Sequence, residues 1–142
     1  GNAKGEAEMA EYLAGIEASV FVCDYDHNAP DSRHLEATHP QVYRRYREAH
    51  SRTPIILVSR PNIRLAEKED IRRRDVIYRT YQGALEKGDE NVYFIDGFQL
   101  FAGDRRYDCT VDGTHPNDLG FFRMAEVIGE LVKHCLRGCH FA

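Results

Sequence analysis

The sequence lacks features that membrane and nucleic-acid-binding proteins usually have. None of its apolar runs approaches the roughly 20 residues that a transmembrane helix needs. A net charge of −4 and an isoelectric point near 6.0 give no basic excess to attract nucleic acid or an anionic membrane. No signal peptide is visible, although the sequence need not begin at the natural start of the chain, so the compartment stays undetermined. We expect neither nucleic acid nor a membrane as a partner.

Metal and phosphate motifs are also missing. The four cysteines (Cys23, Cys109, Cys135 and Cys139) follow no zinc spacing, and Cys135-x3-Cys139-His140 is a poor match to any metal motif. Buried free thiols are therefore the prediction. No glycine-rich loop follows any predicted strand, which ranks a phosphate- or nucleotide-binding domain last among the alternatives. We predict neither a metal nor a cofactor.

The residues that are present fit a single domain, 1–142, with one core, since 42% are hydrophobic and 30% charged. Helical spacing predicts helices over Glu6 to Ile16, from Thr38 onward and over Lys68 to Lys87, and a last helix that begins at about Pro116. Short apolar runs predict strands at Ser19 to Asp24, Pro54 to Val58 and Val92 to Asp96. Strands that alternate with crossover helices indicate an α/β fold with a parallel sheet and helices on both faces.

One segment ahead of the last helix, V-D-G-T-H-P-N-D-L-G from Val111 to Gly120, combines a carboxylate and an imidazole. Asp112 and His115 stand three apart, so the aspartate can fix the tautomer of the histidine and stabilise its imidazolium form. The alternative is a helix-capping turn with an incidental histidine. Pro116 suits a first helical position, and the short D-x-x-H spacing taken alone favours this second interpretation.

Reactive groups in parallel α/β sheets lie just beyond the carboxyl ends of the strands. Asn28 follows the first predicted strand and Arg60 the second, and the loop after the third strand leads to His115. We therefore expect these three side chains to face one crevice, where Arg60 would contact the substrate. Each has a structural alternative, an Asx-turn before Pro30 for Asn28 and a solvated loop charge for Arg60.

These segments together resemble the later sequence blocks of the SGNH (GDSL-type) hydrolases. The matching segments are Gly1-Asn2 opening a helix, Asp24-Tyr25-Asp26-His27-Asn28 after a buried strand, and Asp112-Gly113-Thr114-His115-Pro116-Asn117 before the last helix. The resemblance runs from Gly1 to about Val132, and the D-G-T-H-P-N block is its most specific part. It implies a flavodoxin-like, three-layer α/β/α fold.

The resemblance also implies a serine esterase or acylhydrolase that acts on a small acyl ester, with an acetyl ester of a carbohydrate as one example. His115 would be the general base and Asp112 would orient it. The side-chain amide of Asn28 and the backbone N–H of Gly1 would form the oxyanion hole.

One departure from the family pattern concerns the nucleophile. The family carries it in a Gly-Asp-Ser block at the end of its first strand, and none of the serines here follows Gly-Asp: Ser19, Ser32, Ser51 and Ser59. Cys109 lies on the same loop as the Asp112–His115 pair, which does not suit a nucleophile. We therefore expect the C-terminal portion of a domain whose N-terminal βαβ unit and serine lie outside these 142 residues, so that the chain alone is inactive. Gly1 could also be a remnant of tag cleavage.

One alternative function stays open at this point. The chain could instead be a catalytically inactive α/β binding module that keeps the fold. Without a preceding unit, the strand at Val20 to Cys23 would also have one side unpaired. We therefore expect self-association, or a missing N-terminal segment that binds as a separate partner.

Overall fold

The computed structural model describes residues 2–61 and 67–138. Its helices are α1 (Ala7–Ala14), α2 (Ser32–Ala49), α3 (Lys68–Leu85) and α4 (Asp118–Gly138), and its strands are β1 (Phe21–Cys23), β2 (Ile55–Val58) and β3 (Val92–Ile95). Three short 3-10 turns occupy Asp26–Asn28, Gly97–Gln99 and Arg106–Cys109. No described helix is long and apolar enough to cross a membrane.

The three strands form a parallel sheet in the order β1-β2-β3. Ile55 of β2 lies between Phe21 of β1 and Val92 of β3, and the register continues along the strands without a bulge. All three strands therefore end at the same edge of the sheet, as predicted for a parallel α/β fold.

Strand β2 separates two cores because its successive side chains point to opposite faces. Ile55 and Leu57 pack with α1, α2 and α3, whereas Ile56 and Val58 pack with α4 and the loop that follows β3. The result is a three-layer arrangement with three helices on one face of the sheet and α4 on the other. It confirms the predicted α/β/α layering.

Helix α2 begins earlier than predicted. It starts at Ser32 rather than Thr38, and Pro40 lies inside it instead of in its first turn. The stronger start signal is Asp31, whose carboxylate accepts a hydrogen bond from the N–H of His34 at 2.8 Å. Proline at Pro40 suggested a helix start, but the cap at Asp31 determines where the helix begins.

Helical spacing would place four further apolar side chains on the inner faces of their helices, but they are exposed: Ala49, Leu85, Phe121 and Ala125. Leu119 and Val127 do contact the core, together with the rest of the apolar stripe of α4: Met124, Ile128, Leu131, Val132 and Cys135. Arg47 is the opposite case, since an arginine in a charged stretch of a helix is ordinarily solvated. It is largely buried, because its Nε lies 2.8 Å from the carboxylate of Asp89.

We expect Gly120→Ala to destabilise the fold by about 1–3 kcal/mol, the usual cost of overpacking a well-packed site. A Cβ at Gly120 would overlap the carbonyl oxygen of Cys109, where α4 crosses the turn before the His115 loop. Gly129→Ala, in the same helix but in open space, is the matched control and should stabilise by up to about 1 kcal/mol. Urea unfolding of both variants measures the difference, and equal stability of the two would contradict this packing.

Candidate active site

The loop over residues 110–117, the histidine loop, is a closed turn. Thr110 and Pro116 form an antiparallel bridge, and the N–H of Val111 donates to the carbonyl oxygen of His115 at 2.9 Å. Gly113 has φ +87°, a left-handed conformation that favours glycine, and its N–H donates to Oγ1 of Thr110 at 3.0 Å. These contacts fix the backbone of the loop and thereby the directions in which its side chains project.

Asp112 uses both of its carboxylate oxygens inside this loop. Oδ2 lies 2.7 Å from Nδ1 of His115, while Oδ1 accepts the N–H groups of His115 at 2.8 Å and of Thr114 at 3.0 Å. These bonds lower the pKa of Asp112 to about 2, with the backbone N–H of His115 as the largest cause. Asp112 is therefore ionised at neutral pH.

An ionised Asp112 can only accept hydrogen bonds, so the neutral His115 ring carries its proton on Nδ1. Its Nε2 then has a free lone pair, and no described residue hydrogen-bonds to it. The His115 side chain is 76% exposed. A neutral imidazole with this free nitrogen can accept a proton from a group placed beside it.

This segment does cap the last helix, as the capping interpretation holds, and Asn117 supplies the cap. Asn117 caps α4, because its Oδ1 accepts the N–H of Gly120 at 3.1 Å and its Nδ2 donates to the carbonyl oxygen of Asp108 at 2.7 Å. Pro116 precedes this cap instead of occupying the first helical position. Capping and the Asp112–His115 pair therefore coexist in one loop.

Asn28 ends the 3-10 turn that follows β1, which we call the Asn28 turn (Asp26–Asn28). Its backbone N–H donates to the carbonyl oxygen of Tyr25 at 2.9 Å. None of the described residues hydrogen-bonds to its side-chain amide, and the Asx-turn alternative fails because Pro30 has no N–H to donate. Asp31, rather than Asn28, caps the next helix, so the amide of Asn28 has no structural role in the described part of the chain.

Arg60 lies beside the Asn28 turn. Its backbone N–H donates to Oδ2 of Asp26 at 2.8 Å, and its guanidinium pairs with Asp70. Burial lowers the pKa of Arg60, followed by the charge of Arg73. Arg60 is thus a tethered, partly buried cation rather than a freely solvated one, and its contact with a substrate stays a prediction.

The pKa of His27 responds to burial and to charges on Arg60 and on the histidine loop. Burial lowers its pKa to about 4, and the charges of Arg60 and His115 add to this effect. The ends of β1 and β2 and the histidine loop therefore lie within electrostatic reach of one another at one edge of the sheet. Gly1 lies outside the described residues.

The serines offer no partner for His115. Ser59 is buried, and its Oγ accepts the N–H of Gly97 at 2.8 Å; the hydroxyl of Ser32 donates to Glu69 at 3.1 Å. Cys109 is buried under the histidine loop. Among the described residues, no serine or cysteine hydrogen-bonds to His115.

Sequence reasoning missed Asp26 and Arg73, which form a buried ion pair beneath the Asn28 turn with Nε 2.8 Å from Oδ1. A signal for Arg73 existed, because it stands four residues before the buried Ile77 and eleven before the buried Ala84, on one helical face. Neighbouring Arg72 and Arg74 concealed it.

Two further features lie apart from this site. Cys23, Cys109 and Cys135 are buried free thiols, as predicted, whereas Cys139 lies outside the described residues. Within the described ranges no cluster of three or more His, Cys, Asp or Glu could hold a metal. A cavity of about 790 Å³ lies between α2 and α3 but includes none of the predicted site residues. Its rim is lined by paired charges such as Arg79 and Glu36.

A layered α/β domain with an aspartate–histidine pair at the carboxyl edge of a parallel sheet is an architecture that hydrolases use. Residues 1–133 match the GDSL-like lipase/acylhydrolase family, and the chain belongs to this family. No protein of curated function matches the sequence significantly.

Three solved structures are similar to the chain. A protein described as a GDSL-like lipase from Bacteroides ovatus is 31% identical, with a TM-score of 0.82 over 96% of this chain and 41% of that one. The salicylyl-acyltransferase SsfX3 of a tetracycline biosynthetic pathway is 19% identical, with a TM-score of 0.70 over 89% of this chain and 40% of its own. A peptidoglycan O-acetylesterase is 17% identical, with a TM-score of 0.64 over 94% and 42%. The chain therefore spans about two fifths of each structure's length, and the last two show the fold alone.

We expect the carboxyl group of Asp112 to titrate near pH 2, against about 3.9 in an unfolded chain. Because its pKa is lower in the folded state, Asp112 stabilises the fold above about pH 4, and this contribution is lost as the pH falls toward 2. NMR of the carboxyl carbon, with the urea-unfolded chain as reference, measures the pKa. His115→Ala should raise it only part of the way, because the backbone donors remain. An ordinary pKa in the folded chain would contradict the hydrogen bonding described above.

Proposed function

We propose that this chain supplies the general base and an oxyanion donor of a serine ester hydrolase. The observation that carries this proposal is the Asp112–His115 pair. Asp112 is held by two backbone N–H groups and fixes the ring of His115, while Nε2 of that ring stays available at the surface. A structural turn has no need of this arrangement, since Asn117 already caps the helix.

In the proposed reaction, Nε2 of His115 takes the proton from a serine hydroxyl as the oxygen attacks the ester carbonyl. Asp112 stabilises the imidazolium that forms, and the imidazolium then returns the proton to the leaving alcohol. The amide of Asn28 donates to the tetrahedral oxyanion, an interaction worth about 3 kcal/mol in comparable sites. The backbone N–H of Gly1 is the proposed second donor, and Arg60 is the proposed contact for the substrate.

We further propose that the attacking serine comes from a segment outside these 142 residues. Two observations support this. The serines whose hydroxyls bond to other groups, Ser32 and Ser59, are not directed at His115, and the chain spans about two fifths of the length of similar structures.

The proposed substrate is a small acyl ester, with an acetyl group on a carbohydrate as the favoured example. One similar structure is named a peptidoglycan O-acetylesterase and another an acyltransferase. Both names concern acyl transfer, which agrees with this substrate class.

The second candidate is a binding module that has the fold but no catalytic activity. The observation in its favour is that no described nucleophile contacts His115. The two candidates differ in whether ester hydrolysis depends on His115.

The experiment compares the 142-residue chain with a form that also includes the residues encoded before Gly1, each with its His115→Ala control. We expect hydrolysis of 4-nitrophenyl acetate by the longer form, its loss in the His115→Ala variant, and no activity of the shorter form above its control, because a base alone forms no acyl-enzyme. Burst kinetics from the shorter form would place the nucleophile within it. A longer form without His115-dependent hydrolysis would favour the binding module.

We also propose that the open side of β1 pairs with a strand of that additional segment. The N–H of Phe21 donates to the carbonyl oxygen of Pro54 on the β2 side. Since residues of a parallel strand bond alternately to either neighbour, the N–H and C=O of Val22 point away from β2. In the described chain β1 pairs with β2 only, and the apolar side chains of Met9 and Tyr12 on α1 and of Ile16 just after it are exposed.

The 142-residue chain should therefore self-associate in sedimentation experiments, because an open strand edge is a template for pairing. Val22→Pro removes the N–H at that edge without affecting the pairing to β2, and it should reduce the association. Val22→Ala keeps the N–H and is the matched control. A monomeric wild-type chain, or equal association of both variants, would contradict the open edge as the site of pairing.

A further inference from the structure

We propose that Arg73 and Asp26 act as a positioning pair that fixes the orientation of the Asn28 amide toward the reacting carbonyl. This inference rests on the proposed function, because it gives the pair a role in the same oxyanion site. Neither residue touches the substrate in this proposal. The pair acts through the Asn28 turn that it holds.

The guanidinium of Arg73 binds the backbone on both sides of Asn28 as well as the carboxylate of Asp26. Its Nε donates to Oδ1 of Asp26 at 2.8 Å, and its terminal nitrogen donates to the backbone carbonyl oxygens of Asp26 and, at 2.9 Å, of Ala29. These two carbonyls lie on either side of residues 27 and 28. A single guanidinium thus holds the backbone both before and after Asn28.

The other oxygen of the Asp26 carboxylate binds a second segment of the backbone. Oδ2 of Asp26 accepts the backbone N–H of Arg60 at 2.8 Å. Asp26 therefore joins the turn after β1 to the end of β2, so the Asn28 turn is fixed relative to the sheet as well as to α3.

A third contact extends the same arrangement. Glu69 lies one helical turn before Arg73, and its carboxylate accepts the N–H of Ser32 at 2.6 Å and the hydroxyl of Ser32 at 3.1 Å. Helix α3 thus holds the segment that contains Asn28 at Asp26, at Ala29 and at the start of α2. Asn28 itself contributes no side-chain hydrogen bond to this framework.

A role in stability alone does not explain a charged pair at this position. Asp26 and Arg73 are 0% and 2% exposed, and well-packed apolar residues often stabilise such a site equally well. Apolar residues cannot hold two carbonyl oxygens and a backbone N–H in place. An oxyanion donor must be positioned before the reaction starts, and a displacement of about 1 Å can cost about 10²-fold in rate.

The first part of the test needs only the 142-residue chain. Arg73→Lys keeps the charge, but a single ammonium cannot reproduce the branched contacts of the guanidinium. We expect hydrogen exchange at the N–H groups of Asn28 and Ala29, both bonded to the carbonyl oxygen of Tyr25, to accelerate by at least about tenfold, with exchange at Ile56 unchanged. Arg79→Lys, at an exposed position of the same helix, is the control.

A second variant distinguishes a local effect on the Asn28 turn from a general loss of stability caused by an unpaired buried charge. Asp26→Asn combined with Arg73→Met removes both charges together, so that no charge is left buried and unpaired. It should accelerate the same two amides. Unchanged exchange of Asn28 and Ala29 in both variants would overturn the proposal.

The second part uses the form that hydrolyses esters. Arg73→Lys should lower kcat by about 10- to 100-fold with little change in KM, as expected when a transition-state donor is misplaced. Asn28→Ala should lower kcat by about 10²–10³-fold. If Arg73 acts through Asn28, the double variant should be no slower than Asn28→Ala alone.

The outcomes separate the two levels of the argument. Multiplicative effects of Arg73→Lys and Asn28→Ala would show that the pair does not act through Asn28, which overturns this inference but leaves the proposed function standing. An unchanged kcat in Asn28→Ala would instead overturn the oxyanion role of Asn28, and the inference with it. The exchange experiment would then still decide whether the pair holds the turn.

Discussion

The fold and the site both depend on the burial of β2 between its two neighbours. Ile55, Ile56, Leu57 and Val58 are all fully buried, and they divide the apolar core between three helices on one face and α4 on the other. Because β1 and β3 pair with β2 in parallel, the chain leaves all three strands at the same edge. Asn28 and Arg60 follow the ends of β1 and β2 closely, and the histidine loop follows β3 after a longer connection, so strand pairing determines much of the geometry of the site.

At that edge, two carboxylates differ in solvent exposure and in their hydrogen-bond partners. Asp112 is solvent-exposed and is held by backbone N–H groups of its own loop, which leaves its second oxygen for His115. Asp26 is fully buried and has the guanidinium of Arg73 and the backbone of Arg60 as partners. His27, whose pKa is lowered to about 4 mainly by burial, adds no charge at neutral pH.

Local sequence patterns predicted the structure correctly where interactions between residues close in the chain determine it. The apolar runs of the strands, the helical spacing after residue 116 and the D-G-T-H-P-N block led to the parallel sheet, the last helix, the family and the Asp112–His115 spacing. They failed where distant parts of the chain competed. Pro40 suggested a helix start that the cap at Asp31 supplies instead, and Phe121 has the helical spacing of a core residue but lies beyond the surface that α4 covers.

The sequence by itself determined the order of the elements and the residues of the histidine loop, because these follow from contacts within a few residues. Only the tertiary structure decided the partners of Asp26, since Arg73 is 47 residues away in the chain and reaches it through the packing of α3 against the sheet. The same holds for Ser59, which lies at a strand end but is buried against Gly97. Hydrogen bonds between distant segments depend on how whole helices pack, and no local pattern contains that information.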